Sequence, residues 1–317
     1  MNARRAWAAG LCVALLQAIQ AAEPMPAQDR LEHWHDRLFL GVQDFITRLD
    51  SRFVAEGEIP LPVPPSPFRI GIESDFIRLA DGATEVRPRL DLDLLLQLPN
   101  LERRLSVFVT SDTVAESPRL HAASSAIRAG LRLTPLRDLD LDVGLRADAP
   151  PVAFASLRWE RNLAWGGWRL QPLAKLYLES GTGLGFAAGA GFDHWWDRWV
   201  LRAASYANWQ HRSGDTEITQ GITLAHASET LRFGRYSDMM GGRDLARGQG
   251  LQLTATGTHD TGAQRYEASL FVKQPTALPW LYWHVAPLLS WERAQRWHPD
   301  PGIRIGIDAL FQDARAR

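Results

Sequence analysis

The chain has 317 residues, 45% of them hydrophobic, and its 35 basic and 36 acidic side chains give a formal net charge of -1. This length allows one or two domains, and the balanced charge argues against a nucleic-acid partner. The single cysteine is Cys12, close to the amino terminus. No disulfide bond is therefore expected.

The first 22 residues have the features of a secretory signal peptide. Arg4 and Arg5 precede an apolar run from Ala6 to Ile19, and small residues follow at Ala21 and Ala22. A basic start, a short apolar run and a small-residue exit are typical of such signals. We therefore predict a signal peptide over residues 1–22, and no helix that spans a membrane, because no later apolar run reaches about 18 residues.

Residues 27–56 carry the only clear helical periodicity. Apolar residues recur at spacings of three and four, and charged residues occupy the positions between them, which predicts an amphipathic helix. The apolar positions are Leu31, Trp34, Leu38, Val42, Phe45, Leu49 and Phe53. We favour a packing helix; a plug, a lid or a partner-binding surface is the alternative. Residues 57–67 contain five prolines, which predicts a stiff extended linker.

From Phe68 onward the period of the apolar pattern changes to two, which predicts β-strands. Most of the candidate strands approach the nine to eleven residues that a tilted strand needs to cross a bilayer. We predict about 14 strands, within a range of 12 to 16, between residues 68 and 311. Residues 226–248 are assigned to a long connection and residues 312–317 to a tail. The fourteen strands are 68–79, 86–98, 105–110, 127–133, 139–147, 154–160, 168–179, 184–192, 199–209, 217–225, 251–258, 265–273, 281–291 and 302–311.

The polar face of these strands is charged in one strand after another. Alternation alone fits both a soluble β-sandwich and a membrane barrel, since both bury one face. An arginine that faces lipid at the middle of a bilayer costs roughly 2–4 kcal/mol, so the charged face of a barrel must look into the lumen. The predicted lumen-facing charges are Arg87, Arg89, Asp91, Asp93, Arg128, Arg132, Asp140, Asp142, Arg146, Arg158, Glu160, Arg169 and Lys175.

Two further features favour the barrel. Tryptophans cluster at strand ends, as in the aromatic girdles at membrane interfaces: Trp159, Trp165, Trp168, Trp195, Trp196, Trp199, Trp280 and Trp283. The last strand alternates from Ile303 to Phe311 and ends in an aromatic residue, which is typical of outer-membrane barrels. We therefore predict an all-β fold, an antiparallel transmembrane β-barrel, with a tight periplasmic turn at Pro99 and Asn100.

Four stretches resemble a group of uncharacterised Gram-negative outer-membrane β-barrel proteins with a short helix before the barrel. They are "HWHDRL" in the helix, "LPNLERRL" at the first hairpin, "WLYWHVAPLLSWER" near the end and "PGIRIGIDALF" as the closing strand. The resemblance spans nearly the whole mature chain and implies a barrel in the bacterial outer membrane. It implies no activity and no catalytic residues.

Three motifs were considered as sites of chemistry. His33 and His35 fall on different faces of the helix, which disfavours a shared metal ion. The glycine-rich residues 181–191 lie on strands, so close strand packing explains them better than a phosphate loop. His226 and Ser228 are similar to the His-x-Ser pair of barrel-embedded lipid hydrolases, in which histidine is the base and serine the nucleophile. No metal or other cofactor is predicted.

The preferred function is that of a non-enzymatic outer-membrane protein, structural or a narrow pore. The mixed lumen charges set the selectivity of a pore or cross-link a closed lumen, and we favour a closed or narrow lumen. The alternatives are a lipid hydrolase that uses His226 and Ser228, and a soluble periplasmic β-sandwich that binds a ligand. The expected partners are outer-membrane lipids, lipopolysaccharide and the barrel-assembly machinery; the sequence predicts no oligomeric state.

Overall fold

The structure is a computed structural model that describes residues 27–54, 61–79, 81–100, 105–111, 127–230 and 245–311. The predicted signal peptide and carboxy-terminal tail lie outside the described residues. Helix α1 extends over Ala27–Asp50, and a 3-10 turn follows at Ser51–Phe53. Residues 61–67 have no regular secondary structure, as the dense prolines require, because proline lacks the amide hydrogen. No helix in the described residues is both long enough and apolar enough to cross a membrane.

In the part of the chain that the structure describes, fifteen strands form one antiparallel sheet. Their bounds are β1 Phe68–Arg78, β2 Thr84–Gln97, β3 Leu105–Ser111, β4 Ile127–Leu136, β5 Leu139–Arg146, β6 Val152–Glu160, β7 Leu163–Trp165, β8 Trp168–Glu179, β9 Gly183–Trp196, β10 Trp199–Gln210, β11 Thr216–Thr230, β12 Leu245–Thr258, β13 Gly262–Pro275, β14 Leu281–Glu292 and β15 Pro299–Phe311. β7 is a three-residue strand that pairs with β8, while β6 pairs directly with β8. The other fourteen strands form the barrel.

The barrel closes where the first strand pairs with the last. β1 and β15 run antiparallel from the pair Phe68 and Phe311 to the pair Ile77 and Gly302. The rings of Phe68 and Phe311 stack with their centroids 4.4 Å apart. We call the end of the barrel that contains these two residues the terminal rim. The closed ring confirms the predicted fourteen-stranded barrel and excludes the β-sandwich, which needs two separate sheets.

Side-chain burial alternates along the strands because successive residues point to opposite faces. On β1, Ile72 and Phe76 are exposed, whereas Glu73 and Asp75 are buried. In a closed barrel the buried parity faces the lumen and the exposed parity faces outward. The protein is therefore apolar outside and charged inside, which is the arrangement of a transmembrane barrel.

The predicted long connection at residues 226–248 is wrong at both of its ends. β11 continues to Thr230 and β12 begins at Leu245. The two strands pair past His226 and Gln249, and register shifts accompany the pairs near Glu229. A bulge of this kind breaks strict alternation, so the sequence pattern ends before the hydrogen-bonded ladder does. Residues 231–244 lie outside the described residues.

The end of α1 packs against the outward face of β2 and β3. By its internal contacts the chain divides after Gly41, and the residues from Val42 onward form one unit with the strands. Ile46 is fully buried in a cluster with Leu96 and Leu98, and Leu94 and Val107 pack against that cluster. This contact supports the predicted packing helix for these last turns.

Glycines on β9 make room for two tyrosine rings. A Cβ atom on Gly185 would lie 2.2 Å from Cζ of Tyr177, and one on Gly189 would lie 2.2 Å from Cδ1 of Tyr206. Tyr177 also donates a hydrogen bond of 2.7 Å to Asn208 Oδ1. The glycine-rich segment is therefore a surface on which lumen-facing tyrosines lie, which agrees with the close packing expected from the sequence.

Replacing Gly189 by alanine is expected to destabilise the barrel by about 1–3 kcal/mol, because the added methyl group overlaps the Tyr206 ring. The measurement is the midpoint temperature of the change in gel mobility between folded and unfolded protein. Ala190→Val is the matched control, since Ala190 lines an open outward groove. Equal midpoints for the two variants would contradict the proposed close contact.

Candidate functional site: a charged lumen between two aromatic rims

The thirteen charges that the sequence assigned to the lumen all lie on the buried parity of their strands. Eight are buried: Asp91, Arg128, Arg132, Asp140, Asp142, Arg146, Arg158 and Lys175. Five are half-buried: Arg87, Arg89, Asp93, Glu160 and Arg169. Charged groups shielded from water need partners of opposite charge. The pairing of these residues therefore indicates whether the lumen is an open channel or is closed by ion pairs.

A network of ion pairs crosses the seam where the barrel closes. Arg304 Nε on β15 lies 2.7 Å from Asp75 Oδ1 and 3.4 Å from Glu73 Oε1, both on β1. Arg304 also reaches Glu267 on β13 at 2.9 Å, and Arg89 on β2 pairs with the same two β1 carboxylates. Charges from four strands are therefore joined around one buried aspartate.

The seam network has further members at the level of Glu73 and, beyond Asp75, toward the rim opposite the terminal rim. His284 Nε2 lies 2.8 Å from Glu73 Oε2. Arg265 pairs with Glu267 at 2.8 Å and approaches Glu292 at 3.8 Å. Arg87 completes the set, at 3.3 Å from Glu292 and 2.7 Å from Glu85. These outer members are less buried than Asp75 and Glu73, so this side of the seam is open to water.

A second cluster surrounds Glu179 at the end of β8. Arg146 Nη1 on β5 donates to both carboxylate oxygens at 2.8 Å, and Arg128 on β4 donates at 3.0 Å. The side chains of all three are almost inaccessible to solvent. Since β6 separates β5 from β8 in the sheet, these contacts bind strands that are not neighbours.

Two arginines make paired hydrogen bonds to single aspartates. Arg132 donates to both oxygens of Asp142, at 2.7 and 2.9 Å. Arg202 does the same to Asp193, at 2.8 and 3.1 Å, and Arg169 adds a contact of 2.9 Å to that carboxylate. Two-point contacts fix the orientation of the guanidinium group as well as its charge. These side chains are held in place across the lumen surface.

Aromatic and apolar groups occupy further parts of the lumen surface. The guanidinium carbon of Arg132 lies 4.9 Å from the centroid of the Phe108 ring, and that of Arg128 lies 5.0 Å from Phe154. Nearer the terminal rim an apolar cluster packs together, and it consists of Val200, Ala225, Ala227, Phe271 and Ala286. Both arrangements reduce the space that is left for water.

Sequence reasoning missed many of the pairing partners. They are Glu73, Asp75, Glu179, Asp193, Arg202, Glu267, Lys273, Arg304 and Asp308. Lys273 Nζ, for example, lies 2.5 Å from Asp308 Oδ2. The usable signal was parity, because each of these residues shares the buried parity of its strand. The charges predicted from the sequence all lie on strands from β2 to β8, and Glu179 on β8 was not among them.

The eight predicted interfacial tryptophans all lie near the terminal rim, because every turn they flank connects strands at that end. Five have exposed side chains: Trp159, Trp165, Trp196, Trp199 and Trp283. Trp168 is half-buried and stacks on His194 with centroids 3.9 Å apart. These six side chains lie at one end of the barrel, and their assignment to an aromatic girdle stays a prediction.

Two of the eight predictions need correction. Trp195 packs against the apolar lumen cluster around Val200, because its parity on β9 is opposite to that of Trp196. Trp280 is buried with Leu278, Tyr282 and Leu310, so protein rather than lipid covers it. Position near a strand end was therefore an insufficient signal without the direction of the side chain.

The opposite rim carries aromatic residues that the sequence analysis did not select. Trp297 contacts Tyr266 with centroids 5.3 Å apart, and Trp209 lies near the end of β10. Trp199 and Trp209 are ten residues apart on that strand. At about 3.3 Å per residue and a tilt of about 40°, they lie about 25 Å apart along the barrel axis. This is the height of the apolar band in outer-membrane barrels.

The histidine motifs that the sequence offered as possible catalytic or metal sites lie on β11 and α1. His226 lies on β11 with its ring edge-on to Trp199 at 5.3 Å, and the backbone of Ser228 lies in the same strand. His33 is exposed, whereas His35 is buried. Among the described residues, no group of three or more histidine, cysteine, aspartate or glutamate side chains is arranged to hold a metal ion.

Comparison with protein-family models and with curated protein sequences gives no match. Solved structures do give matches. The outer membrane channel DcaP of Acinetobacter baumannii has 10% sequence identity and a TM-score of 0.42, with 78% of this chain and 96% of that chain covered. OccK11 (OpdR) of Pseudomonas aeruginosa has 10% identity, coverage of 78% and 94%, and a TM-score of 0.41. Pseudomonas putida OprB at low pH has 10% identity, coverage of 78% and 92%, and a TM-score of 0.44.

Replacing Glu179 by alanine is expected to destabilise the barrel by roughly 3–5 kcal/mol, because Arg128 and Arg146 stay buried without their shared carboxylate. The midpoint of heat-induced unfolding on unboiled gels reports the change. Asp138→Ala is the control, since Asp138 belongs to an exposed pair with Arg161 at 4.0 Å and such pairs contribute about 0–1 kcal/mol. If Glu179→Ala unfolds at the same temperature as this control, the cluster around Glu179 has no structural role.

Proposed function

We propose that this chain is an outer-membrane β-barrel protein that performs no enzymatic reaction and serves as a structural protein or a narrow pore. The observation that carries the proposal is the pairing of the lumen charges. Arginines and carboxylates from neighbouring and more distant strands neutralise one another, and most of these side chains are shielded from solvent. An open water-filled channel would leave such side chains hydrated.

The lipid environment follows from the outward face. Apolar residues cover that face on strand after strand, for example Ile72, Val86, Leu131 and Val143. Exposed tryptophans flank it at the terminal rim, and Trp297 lies near the opposite rim. Phospholipid and lipopolysaccharide acyl chains are the hydrocarbon that such a surface would meet in an outer membrane. The barrel-assembly machinery would insert it, with the terminal rim facing the periplasm.

The lumen is the part of the proposal that conductance tests directly. The reconstituted wild-type protein is expected to conduct far less than an open general porin recorded in the same planar bilayer. Replacing both Arg132 and Asp142 by alanine removes a buried pair and side-chain volume together, so we expect conductance to rise severalfold. Selectivity would then follow the charges that remain on the lumen surface.

The matched control for that experiment is the double replacement of Arg161 and Asp138 by alanine, which removes an exposed pair outside the lumen. Its conductance should equal that of the wild type. A wild-type conductance as high as that of the open porin would contradict the narrow lumen. An unchanged conductance in the Arg132 and Asp142 variant would show that this pair does not obstruct the path.

The non-enzymatic role is tested at the His226 and Ser228 motif. Replacing Ser228 by alanine is expected to leave lipid release from reconstituted membranes at its basal level, as is replacing His226 by alanine. The reason is that His226 contacts Trp199 in an interfacial aromatic arrangement. Loss of measurable lipid hydrolysis in the Ser228 variant would instead support the hydrolase alternative.

A further inference from the structure

The last turns of α1 carry apolar side chains in two directions. Ile46 is 0% exposed, whereas the adjacent Phe45 is 56% exposed. Phe53 in the 3-10 turn and Leu61 in the linker are exposed as well. Packing against the barrel accounts for Ile46 and for Val42 and Leu49, which belong to the same cluster, but not for the exposed Phe45. A helix whose outer side met only water would place polar residues at these positions.

The barrel residues that α1 covers lie on the outward face of the strands, which is the face proposed to contact lipid. Leu94, Leu96 and Val107, which pack around Ile46, share the outward parity of Val86 and Leu131, which are exposed. On the rest of the barrel, residues of this parity would contact hydrocarbon or headgroups. The end of α1 therefore occupies a place at the terminal rim that lipid would otherwise fill.

Hydrogen bonds hold this segment against the rim. The buried Asp50 accepts from the backbone N–H of Asn100 at 3.0 Å and from its side-chain amide at 2.5 Å. Asn100 Oδ1 accepts from the backbone of Leu61 at 2.7 Å, and Gln43 exchanges two hydrogen bonds with the backbone of Ser66. The exposed apolar side chains are thus presented in a fixed direction.

Basic side chains border the exposed apolar residues. Arg48 and Arg52 are exposed, and Arg48 lies one helical turn from Phe45 through the three-residue spacing that places them on neighbouring faces. Asp44, which is exposed, lies farther round the helix from Phe45 than Arg48 does. Aromatic residues with arginines beside them match the boundary between acyl chains and anionic headgroups.

We propose that Phe45, Phe53 and Leu61, together with Arg48 and Arg52, form a membrane-interface surface that binds phosphate-bearing lipid headgroups at the terminal rim. The aromatic and aliphatic side chains enter the headgroup and acyl boundary, and the two guanidinium groups contact phosphate. Continuity with the outward face of the barrel and the complementary charge argue for a lipid surface rather than a protein partner. This inference depends on the proposed membrane location of the barrel.

The test uses the full chain with Cys12→Ser, since Cys12 is the sole cysteine. A cysteine placed at Phe45 is labelled with an environment-sensitive fluorophore, and the protein is reconstituted in vesicles of phosphatidylethanolamine and phosphatidylglycerol. Thr47→Cys, at an exposed position on roughly the opposite side of the same helix from Phe45, is the matched control. We expect lipid-attached nitroxide to quench the label at position 45 at least twofold more strongly than the label at 47. Aqueous iodide should show the reverse order.

A label at Ile72→Cys, on the outward face of the barrel, separates the two proposals. Quenching at 72 without quenching at 45 would overturn the interface surface and leave the barrel in the membrane. Absence of lipid quenching at 72 would overturn the membrane location itself. Protection of the label at 45 from both quenchers would mean that protein covers this face, which also overturns the proposal.

The arginines are tested by the double replacement Arg48→Glu and Arg52→Glu in the Phe45→Cys chain. In vesicles that contain phosphatidylglycerol, we expect lipid quenching at position 45 to fall at least twofold. In vesicles of phosphatidylcholine alone, which carry no net charge, the fall should be smaller. An equal response in both lipids would contradict recognition of anionic headgroups by these two residues.

Discussion

The closure of the sheet between β1 and β15 is the constraint on which the rest of the structure depends. A strand inside a bilayer has no water to satisfy its N–H and C=O groups, so an open edge would cost several kcal/mol for each unpaired group. The pairing from Phe68 with Phe311 to Ile77 with Gly302 removes that edge. Once the ring is closed, every residue has only two directions available, toward the lumen or toward the outside. The apolar surface, the charged lumen and the rims all follow from this division.

The lumen then has to hold many charges out of contact with bulk water. Arg304 near Asp75, Arg132 near Asp142 and Arg146 near Glu179 each place a cation within about hydrogen-bonding distance of a carboxylate. Such pairs add little net stability compared with apolar packing, but removing one partner is costly. Their effect is to fix which strand lies beside which, and to fill the interior. The tyrosine rings that lie against Gly185 and Gly189 also fill the interior, without adding charge.

The sequence was sufficient to predict the strands, because their alternating pattern repeats along the chain. It was insufficient to predict individual side-chain contacts, which follow no repeat. Period-two alternation predicted fourteen strands because burial imposes it on every strand, and the parity of Arg128 or Asp142 followed directly. Alternation does not specify which carboxylate an arginine will reach, so Glu179 and Asp75 were missed. It does not show that the bulged end of β11 continues to Thr230, or that Trp195 turns inward. The contact between Ile46 and Leu96 joins residues 50 positions apart, and a local sequence pattern cannot predict such a contact.

The stacked rings of Phe68 and Phe311 bring the two ends of the strand ring side by side at one rim. The hydrogen-bonded ladder makes no distinction between this seam and any other pair of neighbouring strands. A chain joined by a short linker across these ends, and opened instead at a tight turn such as the one between β9 and β10, would contain the same set of strand pairs. The pattern of strand pairing in the barrel therefore does not depend on which strand comes first in the sequence.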